Sequence, residues 1–236
     1  MRFDGRKENE LRNVEIIPDF TETSGGSVLI NWGKTRVLCT ALLENKTMPF
    51  LEGTGKGWLT AEYAMLPSST SGRKKRETTR PDGRSTEIKR LIGRSLRQAL
   101  DFDALGEKTI WIDCDVLSAD GGTRTASITG AYVALALGVK KWLKEGLIEK
   151  SPLVHSIAAV SVGINDNVPI LDLCYREDSG ADVDMNVVMN EQGEFIELQG
   201  TGEGRAFGPD ELSTLIDLAK KGIAELMLIQ NKAIEK

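Results

Sequence analysis

A segment near the middle of the chain, residues 126–146, constrains the fold more than any other. Its spacing predicts a helix, and as far as Lys140 that helix is apolar almost all round. A helix without a polar face is buried by other elements on every side. We therefore expect this helix at the centre of the molecule.

Strand patterns fill the first third of the chain and return after the central helix. Short runs rich in β-branched and aromatic residues, bounded by turn residues, predict them. The predicted strands span residues 14–17, 27–32, 35–43, 58–66, 109–117, 157–163, 170–175, 183–189 and 195–200. Two more helices are predicted, one over 85–100 with Ser85 as its N-cap and one over 209–232 with Pro209 in its first turn.

The order of these elements indicates the fold class. Strands and helices are mixed without a regular βαβ alternation, which is typical of an α+β fold. No linker-like segment divides the 236 residues, so residues 1–236 are expected to form one domain. A chain of this length buries a sufficient core without disulfides.

Composition narrows the possible functions. No run of about 18 apolar residues occurs, so no membrane helix is expected. The charged N-terminus lacks a signal-peptide pattern, which indicates the cytoplasm. Cys39, Cys114 and Cys174 lack metal-ligand spacing and are expected to be buried free thiols. Catalytic triads and zinc sites of the usual kinds need a histidine and often more than one, and the sequence has a single histidine, His155. His155 is interpreted as structural.

Charge is distributed unevenly along the chain. The formal net charge is −5, yet residues 73–97 hold ten Lys or Arg against three acidic residues. Residues 67–84, which overlap the start of this region, have no apolar side chain other than prolines and are predicted to form a long loop. Its basic arm comprises Arg73, Lys74, Lys75, Arg76 and Arg80. Such an arm binds a phosphate backbone with little sequence information, and the alternative is an ordinary solvated loop.

A second cationic feature lies between a predicted strand and the central helix. Residues 120–125 read Asp-Gly-Gly-Thr-Arg-Thr. Backbone N–H groups at a helix N-terminus bind anions, glycines allow a close approach, and Arg124 adds a fork that fits phosphate oxygens. Arg84, just ahead of another helix, is a candidate for a further anion contact. The alternative is a plain glycine turn with a threonine N-cap, and the spacing of a Walker phosphate loop is absent.

Acidic residues form the third candidate site. Glu177, Asp178, Asp182 and Asp184 fall within eight positions, and strand alternation places Asp182 and Asp184 on one face. An acidic cluster near an anion site suggests a cation between them, and Mg²⁺ is typically held by one or two carboxylates plus substrate phosphates. An acidic turn before a strand is the alternative. Together the three features favour phosphoryl-transfer chemistry.

The same motifs, taken as a set, resemble the ribonuclease PH family of phosphorolytic exoribonucleases. The matching stretches span nearly the whole chain and follow one another in the order expected for the family. It is carried by RFDGR (2–6), GWLTAEYAMLP (57–67), GRSTEIKRLIGRSLRQALD (83–101), DCDVLSADGGTRTASITGAY (113–132), DLCYREDSGADVDMNVVM (172–189) and ELQGTGEG (197–204).

This resemblance implies an architecture and an activity. The fold would be α+β, shared with a ribosomal protein domain and including a left-handed βαβ crossover, and the assembly a homo-hexamer built as a trimer of dimers. The activity would be trimming of tRNA 3′ ends by inorganic phosphate, which releases nucleoside diphosphates and is reversible. The alternatives are a non-catalytic RNA-binding ring subunit, a small-molecule kinase and a hydrolytic nuclease.

The resemblance also assigns roles to residues. The phosphate-binding residues are Arg84, Gly122, Thr123 and Arg124. Mg²⁺ is assigned to Asp178 and Asp184, with Asp182 as the second choice because the strand pleat alone would pair it with Asp184. The catalytic set is Arg84, Arg124, Asp178 and Asp184. The tRNA-binding residues lie in the basic arm and are Arg73, Lys74, Arg76 and Arg80.

Overall fold

The computed structural model describes residues 2–76 and 82–236. The strands are β1 (Val14–Pro18), β2 (Gly26–Trp32), β3 (Thr35–Glu44), β4 (Trp58–Met65), β5 (Thr109–Ser118), β6 (Ile157–Asn165), β7 (Val168–Leu171), β8 (Val183–Asn190) and β9 (Phe195–Gly202). The helices are α1 (Gly83–Arg97), α2 (Phe102–Leu105), α3 (Thr123–Lys144), α4 (Tyr175–Asp178) and α5 (Pro209–Glu235), and a 3₁₀ turn spans Pro49–Leu51.

The strands form two sheets. The first has the order β1-β2-β3-β5-β4, antiparallel except for the parallel pair of β4 and β5, and the second has the antiparallel order β7-β6-β8-β9. The segment from β4 through α1 to β5 connects two parallel strands and is the crossover that the family resemblance predicts to be left-handed. The handedness of this connection stays a prediction. The expected α+β class is confirmed.

Helix α3 lies at the centre, as its apolar sequence predicted. It packs on β2 and β3 of the first sheet and on β6 of the second. The approach to β2 is so close that a Cβ atom at Gly26 would collide with the carbonyl oxygen of Ala134. One continuous core of buried apolar side chains includes members of both sheets and of α3, such as Val28, Ile128 and Val160.

Several predicted boundaries are wrong, each for a local reason. The N-cap of α1 is Asp82 rather than Ser85, because the Asp82 carboxylate accepts a hydrogen bond from the Ser85 amide at 2.6 Å. Helix α3 begins three residues early, since Gly122 adopts a left-handed conformation (φ 64°) that caps it. The strand predicted over 170–175 ends at Leu171, because Asp172 also has a positive φ of 57°.

The structure confirms the expectation for the cysteines, and some other expectations stay predictions. All three cysteines are buried free thiols. Within the described ranges, no helix is both long and apolar enough to cross a membrane. Arg80 of the basic arm lies outside the described residues. The interpretation of the chain as one domain stays a prediction.

Candidate active site

The glycine-rich segment 120–122 forms a tight loop at the N-terminus of α3. Gly121 and Gly122 both have positive φ, 77° and 64°, a conformation that costs other L-residues steric strain. A Cβ atom at Gly121 would lie 2.6 Å from the carbonyl carbon of Cys174, so the loop packs tightly against the segment before α4. The first amides of a helix have no intrahelical acceptor and carry the positive end of its dipole. The loop therefore presents an anion-binding helix terminus.

Two side chains flank this terminus. The Thr123 hydroxyl shares a 2.9 Å hydrogen bond with the Tyr63 phenol of β4. Arg124 donates from Nη2 to Glu87 Oε2 of α1 at 2.9 Å. Among the described residues, the buried Arg124 Nε has no hydrogen-bond partner. A buried cationic donor left open beside a helix N-terminus fits a phosphate oxygen.

Arg84 lies in the first turn of α1 and is exposed. Its charge reaches the same region, because it lowers the pKa of both Asp178 and Asp184 and also acts on the Tyr63 phenol. The charges of Arg84 and Arg124 thus both act on the two acidic residues.

The two predicted metal ligands face this cationic pocket. Asp178 ends α4 and Asp184 lies in β8. Burial, together with the charges of Asp178 and Glu203, raises the pKa of Asp184 to about 6 against the opposing charges of Arg124 and Arg84. Burial also raises the pKa of Asp178. Two carboxylates whose charges repel each other are stabilised by a shared cation.

Asp182, the second-choice ligand, is directed elsewhere. It precedes β8, and its side chain faces the turn after β9, where a Cβ atom at Gly204 would lie 3.1 Å from its Oδ1. Its charge acts on Arg205. The strand pleat did not place Asp182 beside Asp184 because β8 begins only at Val183.

Within the described residues, no group of three or more His, Cys, Asp or Glu side chains has metal-binding geometry. The pair Asp178 and Asp184 is nevertheless a chemical match for Mg²⁺, which commonly takes one or two carboxylates and completes its shell with water and substrate phosphates. The raised pKa of Asp184 fits that role, since a cation would offset the repulsion between the two carboxylates.

The basic arm begins beside the same site. The Ala119 amide donates to the Ser69 carbonyl at 2.8 Å, which ties the base of the arm to the residue before the glycine loop. Lys74 contacts the Met65 sulfur at 3.4 Å. Arg73 and Arg76 are exposed. Burial raises the pKa of Asp115, and the charge of Arg76 opposes that rise.

Some contributors to the site went unrecognised in the sequence. Glu87 pairs with Arg124, Glu203 adds charge to the acidic pair, and Tyr63 bonds Thr123. Only Glu87 left a signal, since it lies three residues after Arg84 on the same face of α1. His155 lies apart from this group, 3.1 Å from Glu191.

Solved structures of other proteins share this fold. The crystal structure of rice (Oryza sativa) Rrp46 matches with a TM-score of 0.80 at 18% identity, covering 99% of this chain and 100% of that one. The structure of the Archaeoglobus fulgidus exosome with RNA bound to the active site matches with a TM-score of 0.81 at 23% identity, covering 96% of this chain and 91% of that one. At these identities the likeness establishes the fold.

Sequence comparisons decide the family. Models of the 3′ exoribonuclease family match residues 10–139 (domain 1) and 155–222 (domain 2). Ribonuclease PH of Syntrophomonas wolfei is 57% identical over 231 residues, 97% of each chain. The chain belongs to the ribonuclease PH family. It is accordingly a phosphate-dependent 3′–5′ exoribonuclease, and the family resemblance of the motifs is confirmed.

Proposed function

We propose that the protein trims the 3′ ends of tRNA precursors, with inorganic phosphate held by Arg84, Gly122, Thr123 and Arg124. The observation that carries the assignment is the buried Nε of Arg124 beside the N-terminus of α3, which has no hydrogen-bond partner among the residues that the structure describes. A nuclease that used water would have no need of a second, dedicated phosphate site.

The pocket acts by orientation and charge neutralisation. The Gly122 and Thr123 amides and the two guanidinium groups hold inorganic phosphate so that one of its oxygens faces the terminal phosphodiester of the RNA. Attack forms a P–O bond to that phosphorus while the bond to the 3′-oxygen of the preceding nucleotide breaks. The products are a nucleoside diphosphate and an RNA one nucleotide shorter. Phosphoryl transfer of this kind depends on positioning more than on a protein nucleophile.

Asp178 and Asp184 are proposed to hold Mg²⁺. Bound there, the ion would neutralise charge on the phosphodiester and on the departing 3′-oxygen. Both carboxylates must be ionised to bind a cation, and the nearby charges of Arg84 and Arg124 favour ionisation. The same arginines would neutralise the negative charge of the bound phosphates.

The RNA beyond the reacting nucleotide is proposed to contact the basic arm. Arg73 and Arg76 are exposed, and the arm starts from Ser69, which is bonded to Ala119, the residue before the glycine loop. Lys74 and Arg80 belong to the same proposed tRNA-binding set. The assembly is proposed to be a homo-hexamer, a trimer of dimers, and a cytoplasmic location follows from the proposed substrate.

An RNA 3′-end assay with and without inorganic phosphate tests the phosphate site. Wild type is expected to need phosphate, and Arg124→Ala to lose shortening. The matched control is Arg94→Ala, which removes an exposed arginine of α1 that pairs with Glu197. Shortening by Arg124→Ala at the wild-type rate would remove Arg124 from the pocket. RNA binding without shortening by wild type would favour a non-catalytic ring subunit.

A further inference from the structure

The glycine loop is held from beneath by two buried side chains that have no assigned role. Arg12 donates from Nη1 to the Asp120 carbonyl at 2.6 Å. Thr35 accepts from the Asp120 amide at 2.9 Å and donates to the Gly121 carbonyl at 2.8 Å. Both residues are buried. The backbone of the loop is therefore clamped on both sides.

Arg12 is itself rigidly fixed by Asp172. Its Nη2 donates to Oδ1 at 2.6 Å and its Nε to Oδ2 at 3.0 Å, and its own amide donates to Oδ2 at 2.7 Å. The Trp32 indole adds a further donor to Oδ2 at 2.8 Å. Asp172 is 1% exposed. Both carboxylate oxygens of Asp172 accept hydrogen bonds, so the buried pair of Arg12 and Asp172 is held in one geometry. This geometry fixes the position of the Arg12 Nη1 donor.

The clamp lies directly under the proposed phosphate site. A Cβ atom at Gly122 would be 3.0 Å from Arg12 Nη2, so no other group fits between the loop and this guanidinium. The Asp120 carbonyl that Arg12 holds also accepts from the Tyr175 amide, 3.1 Å away, in the helix that ends at Asp178. One carbonyl thus connects the phosphate loop to the segment that carries a proposed metal ligand.

We propose that Arg12 and Thr35 are positioning residues for phosphate: they hold the loop so that the Gly122 and Thr123 amides converge on the anion. Neither residue touches the substrate. The inference rests on the proposed phosphate site and adds the pair that shapes it. Outer partners of this kind are hydrogen-bonded to binding groups and set their orientation.

The variants are Thr35→Val, which keeps the shape and loses both hydrogen bonds, and Thr35→Ser, which keeps the hydroxyl. Arg12→Lys keeps the charge and loses the bidentate geometry. The matched control is Arg6→Lys, since Arg6 also contacts Asp172, at 3.5 Å, yet makes no bond to the loop. For each, kcat and the KM values for phosphate and for RNA are measured on the folded fraction.

Thr35→Val and Arg12→Lys are expected to raise the KM for phosphate about tenfold, at the lower end of losses seen for outer-shell partners, while the KM for RNA stays near wild type. Thr35→Ser is expected to restore the wild-type value, and Arg6→Lys to keep it. A purely structural role would reduce the amount of active enzyme without changing the KM for phosphate, and that result overturns the inference.

The stability of the variants does not obscure the test. If Arg12→Lys fails to fold, Thr35→Val still decides, because its volume matches that of the native residue. A phosphate-dependent wild type with an unchanged phosphate KM in Thr35→Val overturns the inference and leaves the proposed function standing. A wild type that shortens RNA equally well without phosphate overturns both.

Discussion

At the level of single residues, Tyr63 shows how burial prepares a group for the site. Burial raises the pKa of its phenol, which therefore stays protonated at neutral pH and remains available for the 2.9 Å hydrogen bond with the Thr123 hydroxyl. The bond fixes the direction of that hydroxyl beside the glycine loop. Tyr63 thereby connects the edge strand β4 to the proposed phosphate site.

Tyr63→Phe is expected to raise the KM for phosphate severalfold and to lower the free energy of unfolding by about 1 kcal/mol, the typical worth of one hydrogen bond. Tyr132→Phe is the control, since it loses a hydrogen bond of the same length, 2.9 Å to Ser156, away from the site. Steady-state kinetics and urea unfolding measure both effects. Equal phosphate KM values in the two variants would contradict the assignment.

Asp113 is a residue whose charge opposes folding. Burial raises its pKa, and the charges of Asp115 and Glu62 raise it further. The folded state then binds a proton more tightly than the unfolded state, in which the pKa is near 3.8. The resulting destabilisation is present above the folded pKa and is lost as the pH falls through that value towards the unfolded one.

Asp113→Asn is therefore expected to unfold at a higher temperature than wild type at pH 7.5. The difference should shrink as the pH falls and vanish near pH 3.8. Thermal unfolding followed by circular dichroism across this pH range measures it. A difference that grows towards acidic pH would reverse the sign of the argument.

At the level of elements, the N-terminus of α1 places Arg84. The Asp82 carboxylate accepts from the Ser85 amide at 2.6 Å and so caps the first turn, in which Arg84 lies. Asp82→Ala is expected to cost about 1 kcal/mol of stability, the typical value for an N-cap. Asp82→Asn should keep most of it, because an amide oxygen also accepts. Equal losses in both variants would mean that the cap contributes little.

Elements were predictable where one local pattern decided them. The central helix and most strands followed from apolar periodicity, since α3 and the strands bury the faces that their sequences make apolar. The ends were less predictable. The strand predicted over 170–175 ends early because Asp172 has a positive φ. Its carboxylate pairs with the buried Arg12, which lies far away in the sequence.

At the level of the whole molecule, the site is assembled from distant parts of the chain. Its phosphate and acid motifs were recognisable in the sequence because each is local. The network beneath them was not, since Arg2 bonds Glu177 and Arg12 bonds Asp172 across most of the chain. Such pairings depend on the fold and leave no local spacing.

A continuous core predicts cooperative unfolding of both sheets together. The four tryptophans, Trp32, Trp58, Trp111 and Trp142, all precede the second sheet, so fluorescence reports on the first part of the chain and far-ultraviolet circular dichroism on the whole. The two signals are expected to share one urea midpoint. Separate midpoints would show two independently stable domains.

The most direct test of the account follows the phosphate itself. Isotopically labelled inorganic phosphate is supplied with an unlabelled RNA, and the released nucleotides are analysed by mass spectrometry. The account predicts nucleoside diphosphates that carry the label in the β-phosphate. Unlabelled nucleoside monophosphates, released at the same rate with and without phosphate, would contradict it.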